Sequence, residues 1–158
     1  MAESSNILQV LHELIQTCKD GETGYTHAAG VVDDPRLREY FRDQSLERAR
    51  FVQELLDRAE RLGYKPEAEG SVAGTLHRMW FEAKADVGLG DQSVLNSVEQ
   101  GEDAAKKAYD QALAGQLPIE VRSLIAKQAA SVHAAHDYVR DLRDGNLSLD
   151  ELERDRAA

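Results

Sequence analysis

Only one of the 158 residues is cysteine and only three are proline. The lone thiol, Cys18, has no partner for an internal disulfide, and it stands on an apolar row between Ile15 and Tyr25, where a small buried side chain belongs. Scarce proline, with Ala, Leu, Glu, Arg, Gln and Lys in the majority, favours helix. No stretch alternates apolar and polar residues with β-branched ones, so the reading is all-α. Basic residues are in deficit: 19 Lys and Arg stand against 29 Asp and Glu, a net charge of −10. Nucleic acid or an anionic membrane would need a basic face, and neither partner is expected. No apolar run approaches the roughly 18 residues of a membrane span, and MAESSNILQ lacks the charged and apolar regions of a signal peptide. A cytoplasmic, acidic, soluble protein is expected. Its 158 residues make most simply one domain, large enough to bury a core without disulfide or metal staples.

The punctuation divides the chain into four long helices. The first is predicted from Asn6, an N-cap with Gln9 three residues on, to about Val32. Asp33, Asp34 and Pro35 make a tight turn, and a second helix runs to Leu62 and stops at Gly63. GYKPEAEG is the one loop of clear breaker composition. Ser71 then caps a shorter helix through about Val87, GLGD interrupts, and Asp91 caps a helix lasting to Ala114. One bent helix from Ser71 to Ala114 is the competing geometry. GQLP opens the last long helix, from Pro118 to Asp144, with Gly145 as its stop. Residues 1–145 therefore read as the helical domain, and 146–158 as a short charged tail, a frayed turn or disorder with no function attached. Helices of about 24 to 28 residues, roughly 40 Å long, suit a four-helix bundle of two antiparallel hairpins. The residues between the hairpins suit a partly helical crossover that leaves the second and third long helices parallel.

Each inner face carries a polar interruption. Leu8, Leu11, Ile15, Cys18, Glu22, Tyr25, Ala29 and Val32 recur at spacings of three and four, with Glu22 the one charge. Leu95, Val98, Glu102, Ala105, Tyr109 and Ala112 do the same around Glu102. Leu37, Tyr40, Gln44, Glu47, Phe51 and Leu55 are interrupted at Gln44 and Glu47; Val121, Ile125, Gln128, Val132, Ala135, Val139 and Leu142 at Gln128. Glu22, Glu47, Glu102 and Gln128 all fall near the middle of their helices, which predicts one polar layer in an apolar core. Buried glutamates need protons, an arginine or lysine, or a metal. Glycine precedes the acid twice, as Gly21–Glu22 and Gly101–Glu102. A mid-helix glycine costs about 1 kcal/mol against alanine, so a backbone or another group is expected to approach closely there.

KDGETGY, QSLERARFVQEL, SVAGTLHRMW, VEQGEDAAKKAYDQAL and SVHAAHDYVRDLRDG together resemble a bacterial family of uncharacterised ferritin-like four-helix-bundle proteins, over about residues 6 to 144. In the wider ferritin-like superfamily, two helices each supply a glutamate and two each supply Glu-x-x-His to hold two irons or manganese ions. The resemblance thus marks Glu22, Glu47, Glu102 and Gln128 as metal-site positions that could take iron or manganese, although no cofactor is expected. This chain departs from the pattern: Arg50 and Ser131 stand where the histidines belong, and Gln128 replaces an acid. His133 and His136 lie too far along the last helix to substitute in register. Arg48 or Arg50 reaching inward could neutralise Glu22 and Glu102 instead. Glu99 sits beside the apolar row and is expected to meet His133 at the surface, and His77, beside Trp80, is read as structural. His12 and His27 carry no assignment.

Two functions compete. The first is a non-catalytic bundle with a degenerate metal site, working through its surface, as a homodimer or with another protein, in stress physiology as the resemblance implies. The second is a di-metal oxidase or peroxidase-like protein. The missing histidines favour arginine over iron. Phosphotransfer through an exposed helical histidine is disfavoured, because His77 and His133 lack the neighbouring lysine and glycine that such modules use.

Overall fold

A computed structural model describes residues 2–63 and 90–158. These form five helices and, among the described residues, no strand: α1 Ala2–Val31, α2 Pro35–Arg61, α3 Asp91–Ala114, α4 Ile119–Asp144 and α5 Leu149–Ala157. None of them is long and apolar enough to cross a membrane. The predicted helix from Ser71 to Val87, most of the GYKPEAEG loop and His77 lie outside the described residues.

The breakers act as their chemistry requires. Asp34 caps α2, its Oδ1 accepting from Arg36 N at 2.8 Å, and Pro35 takes the first helical position. Gly145, at φ +79°, closes α4: its N–H reaches Leu142 O and that of Asn146 reaches Asp141 O at 2.9 Å. Two start signals act otherwise. Helix α1 begins at Ala2, which leaves Asn6 inside the helix, because nothing in AESS opposes helix formation. Asp91 does not cap α3; Gly90, at φ +96°, holds that position without a side-chain bond. The Asp91 carboxylate instead accepts from Asp33 N at 2.7 Å and Asp34 N at 3.0 Å, tying the α1–α2 turn to the start of α3.

The charged tail is neither frayed nor disordered. Ser148 and Glu151 form a reciprocal capping box, with bonds of 3.1 and 2.9 Å. Leu152 of α5 is fully buried, a placement that contributes roughly 1.5 to 3 kcal/mol. Arg156 pairs with Asp43 and Glu39 of α2, Arg36 with Asp150, and Tyr138 donates to Asp155.

The apolar interior falls into two clusters. One joins Leu11 to Cys18 of α1, Phe51 to Ala59 of α2, Ala105 to Ala112 of α3 and Val121 to Val132 of α4. The other joins Tyr25 to Val32, Leu37 to Phe41, Val94 to Val98, Val139 and Leu142, together with Leu152. Between them each long helix contributes a stretch with polar side chains: residues 19–24, 42–50, 99–104 and 133–138.

Candidate functional site

Arg48 occupies the layer between the clusters. Its side chain is 1% exposed and faces Glu102, which is 0% exposed. One guanidinium nitrogen, Nη2, lies 2.7 Å from Oε1 and 2.8 Å from Oε2 of that carboxylate. The Tyr25 ring covers the guanidinium, with Cζ 5.5 Å from its centroid. Burial alone would depress the Arg48 pKa, but Glu102, with Tyr25 and Cys18 adding to it, raises it above the ordinary value and keeps the guanidinium charged. Burial, with the Glu102 charge second, pushes the phenols of Tyr25 and Tyr40 upward. Gly21 explains how so long a side chain fits. A Cβ at that position would stand 3.2 Å from Arg48 Nη1 and 3.4 Å from its Cγ, tighter than ordinary contact.

Of the four residues expected in the layer, Glu102 and Gln128 are buried, and Glu22 and Glu47 are half-buried. Gln128 lies within the first apolar cluster, beside Ile125 and Ala129. There it belongs to a chain of hydrogen bonds. Cys18 Sγ is 3.0 Å from Tyr109 Oη, Tyr109 donates to Gln128 Oε1 at 2.7 Å, and Gln128 Nε2 donates to Glu54 Oε1 at 3.1 Å. Since Tyr109 spends its proton on Gln128, the Cys18 thiol is the donor to Tyr109. Burial pushes this thiol up to about 11, against the pull of Arg48, so it is a structural donor and not a nucleophile. Arg50, the other candidate cation, is exposed and rests against the Phe51 ring.

A second polar group lies on the α3–α4 face. Glu99, Asp103 and His136 each bring one ligand-type atom within 4.8 Å of the others, and together they could hold a metal ion. Glu99 is buried, not surface-lying, and its cation is Arg143, whose Nη1 meets Oε2. His133 pairs with exposed Asp110 at 2.7 Å instead. The expected Glu99–His133 contact is therefore replaced by Glu99 facing His136, with Nε2 3.8 Å from Oε1. The signal was in the spacing: Glu99 is four residues past Leu95 and three before Glu102, and His136 is four past Val132 and three before Val139. Both stand on the buried row, masked by the apolar neighbours Val98 and Ala135 that share its width.

No curated protein matches the chain. A family described as a domain of unknown function, DUF2383, matches residues 6–115, which takes in α1, α2 and α3 with Arg48, Glu99 and Glu102 and leaves out α4 with Gln128 and His136. Over more than half its length, then, the chain belongs to the DUF2383 family.

Proposed function

We propose that the chain is a ferritin-like four-helix bundle whose central carboxylate layer is closed by an internal cation, and that it serves as a non-catalytic helical scaffold. The two apolar clusters support the bundle geometry. The first joins the early half of α1 to the late half of α2, and the late half of α3 to the early half of α4. That pairing fits two antiparallel hairpins with α2 and α3 parallel, as one long crossover requires. A homodimer or another protein partner, met through the outer faces of a cytoplasmic protein, is the mode of action that goes with this reading.

The observation that carries it is the Arg48–Glu102 pair, with Gly21 leaving room for the guanidinium. A centre for two irons or manganese ions asks for four carboxylates and two imidazoles. Here Glu22, Glu47, Glu102 and Gln128 offer no imidazole and one neutral amide, and Arg48 Nη2 donates to Oε2 of Glu102 and stands 2.7 Å from Oε1. The donor set does not fit the metal pair, and the oxidase reading is the weaker one.

The test uses protein purified without chelator and the variant carrying Glu22→Ala with Glu102→Ala. Both are loaded with Fe²⁺ or Mn²⁺, dialysed and analysed for metal. Equal content in the two supports a scaffold; about two ions per chain lost with the double substitution contradicts it.

A further inference from the structure

We propose that Glu99, Asp103 and His136 form a mononuclear site for a divalent first-row transition cation of the Zn²⁺ or Co²⁺ class, on the α3–α4 side of the polar layer and separate from the Arg48–Glu102 pair. Glu99 and Asp103 are four residues apart on α3, so their carboxylates stack on one face, and His136 reaches that face from α4. Oxygen Oδ1 of Asp103 lies 2.6 Å and Oε1 of Glu99 3.8 Å from His136 Nε2.

The imidazole itself points to a cation. His136 is 6% exposed, and its Nε2 is buried without a hydrogen bond despite the nearness of Asp103. The other nitrogen, Nδ1, lies 3.0 Å from Asp137 Oδ1. In the tautomer whose Nδ1 donates to that carboxylate, Nε2 is the ligating nitrogen and stands beside two carboxylate oxygens, whose charge a shared cation would neutralise. A carboxylate behind a ligating imidazole is the usual support of a histidine–metal bond. The Arg143 guanidinium lies against Oε2 of Glu99, which leaves Oε1 as the oxygen facing Nε2.

One nitrogen and two carboxylate oxygens suit a borderline ion more than Ca²⁺ or Mg²⁺, which take oxygen alone. Bonds of about 2.0 to 2.1 Å in tetrahedral geometry set ligand atoms roughly 3.3 Å apart. Asp103 must therefore swing outward by about 0.7 Å from its present 2.6 Å, and at 57% exposure its side chain has the freedom to do so. Its open side leaves a coordination position to solvent.

Co²⁺ added to the metal-free full chain is the probe, followed by its visible absorption and by calorimetry. One ion per chain is expected. His136→Ala is expected to weaken binding at least about 100-fold, since loss even of an outer partner of a ligand costs 10- to 100-fold. Asp103→Asn changes an exposed side chain and leaves the fold intact, and it too is expected to weaken binding 10-fold or more. His133→Ala, at an imidazole paired with exposed Asp110, is expected to leave Co²⁺ affinity within about twofold. No Co²⁺ binding by the parent overturns the proposal, as does binding that neither His136→Ala nor Asp103→Asn weakens. Because Glu102 is not a ligand here, failure of this site and failure of the central ion pair are read from different variants.

Discussion

Arg48 Nη1 lies 3.2 Å from the point where a Cβ on Gly21 would stand. In an ordinary helix interior, replacing glycine with alanine stabilises by about 0.5 to 1 kcal/mol. At Gly21 that gain meets a guanidinium held by Glu102 and a Cγ packed in the core, neither free to retreat. Gly21→Ala is expected to destabilise by roughly 1 kcal/mol, the low end of overpacking costs. Gly30 of the same helix has nothing within 4 Å of its would-be Cβ. Gly30→Ala is expected to stabilise by a few tenths to about 1 kcal/mol. Urea unfolding of the two variants side by side checks the contrast, and a stabilised Gly21→Ala would count against the close approach.

The buried pair has a signature that a surface pair lacks. Removing one partner strands a charge in the interior, which costs about 3 to 5 kcal/mol, whereas replacing both with apolar groups of similar size is close to neutral. Arg48→Met and Glu102→Leu are each expected to lose stability in that range, and the double variant to regain most of it. A double-mutant cycle with a coupling below about 0.5 kcal/mol would refute the pairing.

Cys18 gives a pH test. Its thiol is raised from 9.0 in the open chain to about 11 in the fold, by burial first. A raised acid favours the fold below its unfolded pKa, so the contribution is complete below about pH 9 and lost between about 9 and 11. Other groups titrate there too, so the comparison is with Cys18→Ala. The advantage of the parent over that variant is expected to shrink by up to about 3 kcal/mol between pH 8 and pH 11. At pH 8 a thiol reagent should label the folded parent no faster than the chain opens; rapid labelling would show an accessible thiolate.

Helix α5 is predicted to belong to the folded unit. Leu152 is fully buried, so Leu152→Ala is expected to cost about 2 to 3 kcal/mol. Arg156→Ala, which removes exposed ion pairs to Asp43 and Glu39, is expected to cost under about 1 kcal/mol. Equal, negligible effects in thermal unfolding would mean that the tail merely rests on the surface.

Helix ends were legible wherever a residue has one conformational use. Pro35 at a helix start and Gly63 and Gly145 at left-handed stops stand where the sequence put them. Asp91 misled because a carboxylate next to a helix start can serve the helix or a neighbouring turn, and sequence does not say which amides lie nearby. The inner row of α2 was read through Glu47, yet Arg48 is the residue seven from Phe41 and seven from Leu55, all three buried. A hydrophobicity pattern discounts arginine at such a position, and it was the need of a buried glutamate for a cation that pointed to Arg48 or Arg50, without choosing between them. Gln128 was placed level with Glu102 from the midpoint of its helix. The layer between the clusters meets α4 farther on, at residues 133–138 that include His136, past the midpoint of that helix. The tail was underrated because its single core residue, Leu152, is outnumbered by charges that pair with α2 only once the helix has docked.

The central claim is that Arg48 takes the place of metal beside Glu102. Crystals of the full chain grown with excess Mn²⁺ or Fe²⁺, measured across the metal absorption edge, test it most directly. The account predicts guanidinium density against both Glu102 oxygens and no anomalous peak among Glu22, Glu47, Glu102 and Gln128. Anomalous peaks among those four residues, with Arg48 turned away from Glu102, would contradict it.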